Sequence, residues 1–339
     1  MSDQEEGGGE ETDKGAEKTV QEGQLVAPSP AAPAADGVTG CDGAIVVVAK
    51  CPTAGKSKTR LQPLLGSDGA AKLAEAMLLD VVEAISGEAR LKPVCKILLY
   101  APATAESEGA MRSILEKSDL FDDGCGDWTF LPMNSAIDAQ SSNPSKSLTS
   151  SHLGEQLTDA LVRAREVIRR WNLATSEGGG GVDRSPVVFM GMDSPEVPLD
   201  ELVAALSQPM PALLCPAADG GYGLLSVPAH APANQVFRGV RWSHSLTAVS
   251  QIKALTDAGI TVIIGRLMHD IDEPDDVRDL CNRLSKQKAR CDQNGCSNPS
   301  NGDSCDDTLL QPSSVCTTIG PQTASCQHTL RALIELGQL

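Results

Sequence analysis

Residues 44 to 60 read Ala-Ile-Val-Val-Val-Ala-Lys-Cys-Pro-Thr-Ala-Gly-Lys-Ser-Lys-Thr-Arg. The β-branched run Ile45 to Val48 stops at a loop holding Pro52, Gly55 and four cations: Lys50, Lys56, Lys58 and Arg60. The whole chain carries a formal net charge of -17, so a basic cluster within it needs a local reason. A strand that delivers cations and a flexible glycine to a loop at its carboxyl end suits a phosphorylated ligand. The plainer alternative is a buried strand followed by a solvated basic turn. Strand, glycine and cations in this order favour the phosphate reading.

Helical and strand patterns alternate beyond that first strand. Helices are expected over Gly69–Ser86, Ser107–Lys117, Leu153–Trp171, Leu199–Leu206 and Pro274–Leu284. Leu157, Leu161, Ala164, Val167 and Ile168 give the third of these an apolar side at helical spacing. Strands are expected over Lys96–Tyr100, Trp128–Leu131, Val187–Met190, Ala212–Cys215 and Thr261–Gly265. This βαβα order predicts a mostly parallel sheet with helices on both faces. Ligands of such sheets bind outside the carboxyl ends of the strands.

The 339 residues are 41% hydrophobic but only 3% aromatic, so the core must be aliphatic, which suits α/β layering. An acidic surface repels nucleic acid and anionic membrane. No run of 18 apolar residues is present, so no membrane span is expected. The first residues lack the basic and apolar regions of a secretory signal, and a cytoplasmic setting is expected. The 11 cysteines are then thiols rather than disulfides. Residues 1–42 read as a disordered acidic, Ala- and Pro-rich tail, 43–285 as the folded domain, and 286–339 as a mostly disordered Cys- and Ser-rich tail. A short helix is expected near the end, over His328–Leu336. Two polar insertions, Ala139–Ser151 and Ala174–Ser185, read as surface loops.

Three further stretches carry candidate chemistry. In Val187 to Pro195 an acid, Asp193, follows a buried strand at the same sheet edge as the basic loop. One or two carboxylates plus substrate phosphates are the usual ligands of Mg²⁺. An Asx-turn or helix N-cap is the competing explanation. In His269 to Asp276, Glu273, Asp275 and Asp276 suit the positive end of a helix whose first turn holds Pro274. Asp270 and Asp272 precede that helix, and one of them would supply a second carboxylate to the metal of Asp193. In Ala217 to Gly223, Asp219, Gly220 and Gly221 form a hairpin-turn signal, with contact to a substrate as its use. Trp242 and Ser243 are candidates for the same cleft, against the alternative that Trp242 only packs.

Two other patterns fail. Gly55-Lys56-Ser57 resembles the end of a P-loop, but Lys50 stands where the first glycine is required. Cys291, Cys296, Cys305, Cys316 and Cys326 lack the paired spacing of a zinc module. His152, His230 and His244 are isolated and assemble no Ser/His/Asp set.

The order of these stretches resembles the DUF2064 family, within the nucleotide-diphospho-sugar transferase (GT-A-like) superfamily. The resemblance rests on Ala49-Lys50-Cys51-Pro52 with Gly55, Lys58-Thr59-Arg60-Leu61, Leu153-Gly154-Glu155 and Gly191 to Pro198. It continues through Asp219-Gly220-Gly221-Tyr222, Trp242-Ser243 and Asp270 to Asp276. Gln156, Gly223, His244 and Glu273 depart from the usual pattern, while the acids and cations are kept. The resemblance implies a GT-A-like three-layer α/β/α sandwich around a mostly parallel, mixed sheet. It implies a nucleotide at the first strand-loop, with phosphate contacts from Lys50, Pro52, Gly55, Lys58, Thr59 and Arg60. Asp193 and Asp272 would be the acids of a Mg²⁺ or Mn²⁺ site. Asp219 is the candidate general base beside Arg60, and Gly220, Gly221, Tyr222, Trp242 and Ser243 the acceptor side. The expected activity is glycosyl transfer from a nucleotide sugar to a small-molecule acceptor. A likeness to 2-phospholactate guanylyltransferase, in the Lys-Thr-Arg-Leu loop, keeps nucleotidyl transfer from an NTP as the alternative. A non-catalytic nucleotide-binding module is the third reading.

Overall fold

A computed structural model describes residues 41–118, 128–133, 150–175, 185–207, 211–293 and 326–339. Strand β1, Ala44–Lys50, is buried along most of its length and alternates between two apolar layers. Ile45, Val47 and Ala49 enter one layer, and Ala44 and Val46 the other. A strand buried on both faces needs the continuous apolar run that the sequence supplies. After a 3₁₀ turn at Thr59–Leu61, α1 spans Gln62–Gly87. Gly66 interrupts it at φ 72°, ψ 172°, so the main helix begins near the expected Gly69. Pro63 sits in the short first piece, where a missing N–H is tolerated.

The chain continues through β2, Cys95–Ala101, α2, Ala105–Leu115, and β3, Trp128–Pro132. Then come α3, Ser150–Thr175, β4, Val187–Gly191, α4, Leu199–Ser207, and β5, Ala212–Pro216. It closes with β6, Tyr222–Val227, α5, Ala233–Val236, α6, Thr247–Asp257, β7, Val262–Ile264, α7, Pro274–Gln293, and α8, Gln327–Glu335. The strand order is β3-β2-β1-β4-β6-β5-β7. Among the described strands, only the pairs of β6 with β4 and β5 are antiparallel. The result is the expected three-layer sandwich around a mostly parallel, mixed sheet. Buried residues of α1, α2 and α4 cover one face, and those of α3 and α6 the other. Chain order runs outward from β1 through β2 to β3, then returns to place β4 on the other side of β1. The β1/β4 boundary is therefore the topological switch point, where a crevice opens at the carboxyl ends of the strands.

Three features differ from expectation. Strand β6 and helices α5 and α6 add to the predicted elements. Helix α7 continues past residue 285 to Gln293, and α8 belongs with α1 and α7. Leu333 and Cys326 share an apolar cluster with Leu61, Leu73, Met77 and Ile271. The described residues fall in one compact unit, Thr39–Leu339. The 1–40 stretch, most of both polar insertions, and Cys296, Cys305 and Cys316 lie outside the described residues. Among the described residues, no helix is long and apolar enough to cross a membrane.

Candidate functional site

The loop after β1 closes on itself before it presents its cations. Ser57 is buried, and its hydroxyl donates to the Cys51 carbonyl at 3.0 Å while accepting from the Thr53 N–H at 2.8 Å. The Lys56 and Ser57 N–H groups both donate to the Thr53 carbonyl, and Gly55 turns the chain at φ 78°. Lys50 Nζ donates to the Lys56 carbonyl at 2.6 Å, which ties the strand end to the loop. Lys58 then takes a left-handed conformation, φ 45°, ψ 48°, unusual for a residue with a side chain. This conformation aims the Lys58 side chain inward.

Lys58 Nζ lies 2.5 Å from Asp193 Oδ1 and 2.8 Å from Asp272 Oδ1. Its side chain is 7% exposed, whereas both carboxylates are nearly half exposed. Burial pushes the ammonium's pKa down, but the charges and hydrogen bonds of Asp193 and Asp272 outweigh it and hold it above its ordinary value. Backbone bonds fix the two acids. Met192 N–H donates to the Val48 carbonyl at 3.2 Å, placing Asp193 just past β4. Ile271 N–H donates to the Asp193 carbonyl at 3.0 Å, and the Ile271 side chain is fully buried. Asp276 Oδ2 accepts from the N–H groups of Asp272 and Glu273, capping α7 as a capping-box acid does. Glu273 reaches Arg60 at 3.4 Å on the surface, a weak contact.

A cleft of about 270 Å³ opens over this triad. Lys50, Lys56, Lys58, Arg60, Asp193 and Asp272 line it, with Ser57 and Thr59 between the cations and Ala74 and Met192 as apolar floor. It lies at the β1/β4 switch point. Lys58 is already neutralised by the two acids. The cations left to meet an anion are Lys50, Lys56 and Arg60, all exposed. Lys56 and Ser57 are absent from the sequence-predicted contacts. Lys56 was legible as one of the four loop cations, whereas the buried hydroxyl of Ser57 has no sequence signature.

The other predicted residues do not line this cleft. Asp219 is exposed, and its Oδ1 accepts from the Gly221 N–H at 2.7 Å, an Asx-turn in the β5–β6 hairpin. Asp270 faces Asp219 rather than Lys58. Burial first, then the Asp219 charge, with Asp272 and Asp276 adding, pushes its carboxyl up to about 6 despite an opposing backbone hydrogen bond. Of the two candidate second acids it is thus Asp272 that meets Asp193 across Lys58. Gly220 holds φ 87°, and a Cβ there would fall 2.0 Å from the Ser245 carbonyl oxygen, so close backbone approach requires glycine. Tyr222, expected to contact substrate, turns inward: its hydroxyl meets Gln251 Oε1 at 3.1 Å, and burial raises its pKa. Trp242 packs on Tyr222 and Phe237, over Gly154, where a Cβ would lie 3.1 Å from the indole nitrogen. Their apolar surfaces belong with the layer under α3 and α6, so both side chains are engaged in packing. Ser243 is exposed at φ 55°. Pro52 lies in the loop without reaching the cleft.

Residues 133–244 match DUF2064, an uncharacterized protein family conserved in bacteria. The match includes Asp193, the β5–β6 turn and Trp242, so the DUF2064 resemblance holds over that stretch. The phosphate-loop residues and Asp272 fall outside it. A structure from Desulfovibrio desulfuricans G20, assigned to the nucleotide-diphospho-sugar transferases, matches at 21% identity and a TM-score of 0.57. That match covers 87% of this chain and 96% of the other, and it shows a shared fold. A nucleotidyl transferase from Methanothermobacter thermautotroptrophicus matches at 13% identity, TM-score 0.38, over 72% and 98% of the two chains. A cytidylyltransferase from Leptospira borgpetersenii serovar Hardjo-bovis matches at 10% identity, TM-score 0.41, over 74% and 94%. No protein of curated function matches the chain.

Proposed function

We propose that this protein is a transferase that grips the phosphates of a nucleotide-activated donor in the β1/β4 cleft. The favoured reaction is glycosyl transfer from a nucleotide sugar to a small-molecule acceptor, in a cytoplasmic setting. One observation carries the reading: Lys58 is held between Asp193 and Asp272 while Lys50, Lys56 and Arg60 rim the same cleft. Three exposed cations around a cleft in an acidic protein attract a polyanion selectively. The sugar-transfer assignment of the Desulfovibrio protein supports the donor class.

Asp193 and Asp272 offer hard oxygen donors focused on one cationic point, which suits Mg²⁺ or Mn²⁺. Among the described residues no group of three His, Cys, Asp or Glu side chains could hold a metal, so ligand phosphates and water would complete the shell. When bound, the ion would supply Lewis-acid stabilisation of the leaving phosphate. The chain's own contribution is distinct. Lys58 holds the two acids close together. Lys50, Lys56 and Arg60 bind and orient the phosphates and offset negative charge that develops as the donor bond breaks. The β5–β6 turn at Gly220 and Gly221 is proposed for the acceptor side, with Asp219 receiving the acceptor's proton beside Asp270.

Nucleotidyl transfer from an NTP would employ the same cations and acids. Product analysis separates the two: a nucleoside diphosphate released from a nucleotide sugar supports glycosyl transfer, and pyrophosphate released from an NTP supports nucleotidyl transfer. A thermal-shift screen of nucleotides and nucleotide sugars, with and without Mg²⁺, selects the ligand first. Asp193→Ala and Asp272→Ala are each expected to abolish the Mg²⁺-dependent part of the shift. An unchanged shift in both variants removes the metal site, and no shift with any nucleotide removes the donor site.

A further inference from the structure

The amino-terminal ends of β1 and β2, opposite the phosphate cleft, bring two thiols together. Cys41 Sγ lies 2.9 Å from Cys95 Sγ, and both residues are buried. A disulfide bond is about 2.05 Å long, so bonding needs an approach of under about 1 Å. The backbones around them are pinned in register. Cys95 N–H donates to the Gly43 carbonyl at 2.9 Å and contacts Cys41 Sγ at 3.3 Å. Asp42 N–H donates to the Pro93 carbonyl at 2.9 Å. Cys41 N–H donates to Asn172 Oδ1 at 2.7 Å, and Ser185 Oγ donates to the Cys41 carbonyl at 3.0 Å. Four separate segments thus hold the sulfurs against one another. The apolar setting alone does not require cysteine at both places, since any small hydrophobic side chain would fill it.

We propose that Cys41 and Cys95 are a modification site: a dithiol that a peroxide-class oxidant converts reversibly to a disulfide. Cys41 is the attacking sulfur. Its thiolate bonds to one peroxide oxygen, the O–O bond breaks, and the departing hydroxide takes a proton to leave as water. Cys41 is then a sulfenic acid. Cys95 sulfur attacks Cys41 sulfur, the S–O bond breaks, and the Cys95 proton leaves with the hydroxyl as a second water. The sum is two thiols and one hydrogen peroxide giving one disulfide and two waters. The hydrogen bond from Cys95 is the main cause that lowers the Cys41 pKa to about 7, against burial, which raises it. A thiolate is therefore accessible near neutral pH at Cys41, whereas the same contact and burial push the Cys95 thiol up. Local opening at Asp42, which is exposed, gives the oxidant its entry. The bond would close a loop from β1 to β2 around α1 and so raise the melting temperature by restricting the unfolded chain.

The test is hydrogen peroxide titration of the full chain, followed by alkylation, trypsin and mass spectrometry. Trypsin cleaves after Lys50 and so separates Cys41 from Cys51. A Cys41–Cys95 linked peptide is expected as the main oxidised product, lost again with dithiothreitol, together with a higher melting temperature in the oxidised sample. Recovery of both residues as alkylated thiols, or linkage of Cys41 to another cysteine, overturns the proposal. In Cys95→Ser, dimedone is expected to label Cys41. Dimedone labelling of Cys95 in Cys41→Ser, with none of Cys41 in Cys95→Ser, overturns the assigned order of attack.

Discussion

Lys58 combines a left-handed backbone with a buried charge, and each feature carries an energy that its two acids must offset. Lys58→Met removes the counter-charge and leaves Asp193 and Asp272 repelling one another. Because both acids are half exposed, water screens part of that repulsion, and the expected loss is about 1–2 kcal/mol in urea unfolding at pH 7. The pH dependence has a definite sign. The folded pKa of Lys58 is raised above its unfolded value, so its stabilisation is complete below about pH 10 and fades as pH climbs through the folded value. The gap between wild type and Lys58→Met should shrink above that pH; a constant gap would show that the ammonium is not the source. Two glycines test the hairpin and the loop by contrast. At Gly220 a Cβ would strike the rigid Ser245 backbone, so Gly220→Ala should lose about 3–5 kcal/mol. At Gly55 the backbone is also left-handed but nothing lies within 4 Å, so Gly55→Ala should lose only about 1–2 kcal/mol by the same measurement. Asp193, Lys58 and Arg60 were legible because each follows a strand end at fixed spacing. The burial of Lys58 was not, because its partners sit far along the chain.

Elements with an aliphatic stripe were legible and those with a polar stripe were not. In α3 the buried aliphatic positions include Leu157, Ala160, Leu161, Ala164 and Ile168, a spacing any amphipathic helix would show. In α6 the buried positions include Thr247, Ala248, Gln251 and Ala254, while Val249 is 61% exposed, so periodicity pointed nowhere. Gln251 is buried for its hydrogen bonds to Tyr222 and the Val236 carbonyl, a tertiary reason. Helix α8 is expected from the sequence as a short helix in a mostly disordered tail, and its docking was not legible because its partners are also distant in sequence. Buried Asp80 of α1 accepts from the N–H groups of His328 and Thr329, capping α8 in place of a local residue. His328 Nε2 meets Glu83 Oε1 at 2.7 Å, and this hydrogen bond holds the imidazole above its ordinary pKa against burial. The contribution of the protonated imidazole is full below about pH 6.5, while Glu83 stays ionised, and is lost as pH rises through the higher folded value. Hydrogen exchange of the α8 amides should therefore speed up from pH 6 to pH 9 beyond its intrinsic pH dependence. His328→Ala should exchange faster at pH 6 and lose most of that excess; an unaltered profile in the variant would dismiss the pair as the cause.

At the scale of the whole molecule, the sheet carries the site from above and the third apolar cluster carries it from below. Leu61 follows Arg60 of the phosphate loop and Ile271 precedes Asp272, and both are fully buried in that cluster with Leu333 of α8. Gly69 of α1 leaves room for Leu336, since a Cβ there would lie 2.9 Å from its Cδ2. Lys72 and Glu335 add an exposed ion pair across the same contact. The parallel core of the fold was legible from alternating elements, but this buttress was not, because its last helix is separated from α7 by a long polar stretch. A chain ending at Ser325 loses the Leu333 side chain from the cluster and leaves Asp80 a buried carboxylate without its two N–H partners. Emptying one such leucine site costs about 2–5 kcal/mol, and the orphaned acid adds to it. Calorimetry should show a lower melting temperature for the truncated chain. The same cluster anchors the residues on either side of the triad, so Lys58 and Asp272 should lose their fixed approach as well. Nucleotide affinity in Mg²⁺, measured below the new melting temperature, should then fall together with stability. A truncated chain that melts early yet binds nucleotide as the full chain does would show that the triad keeps its place without α8.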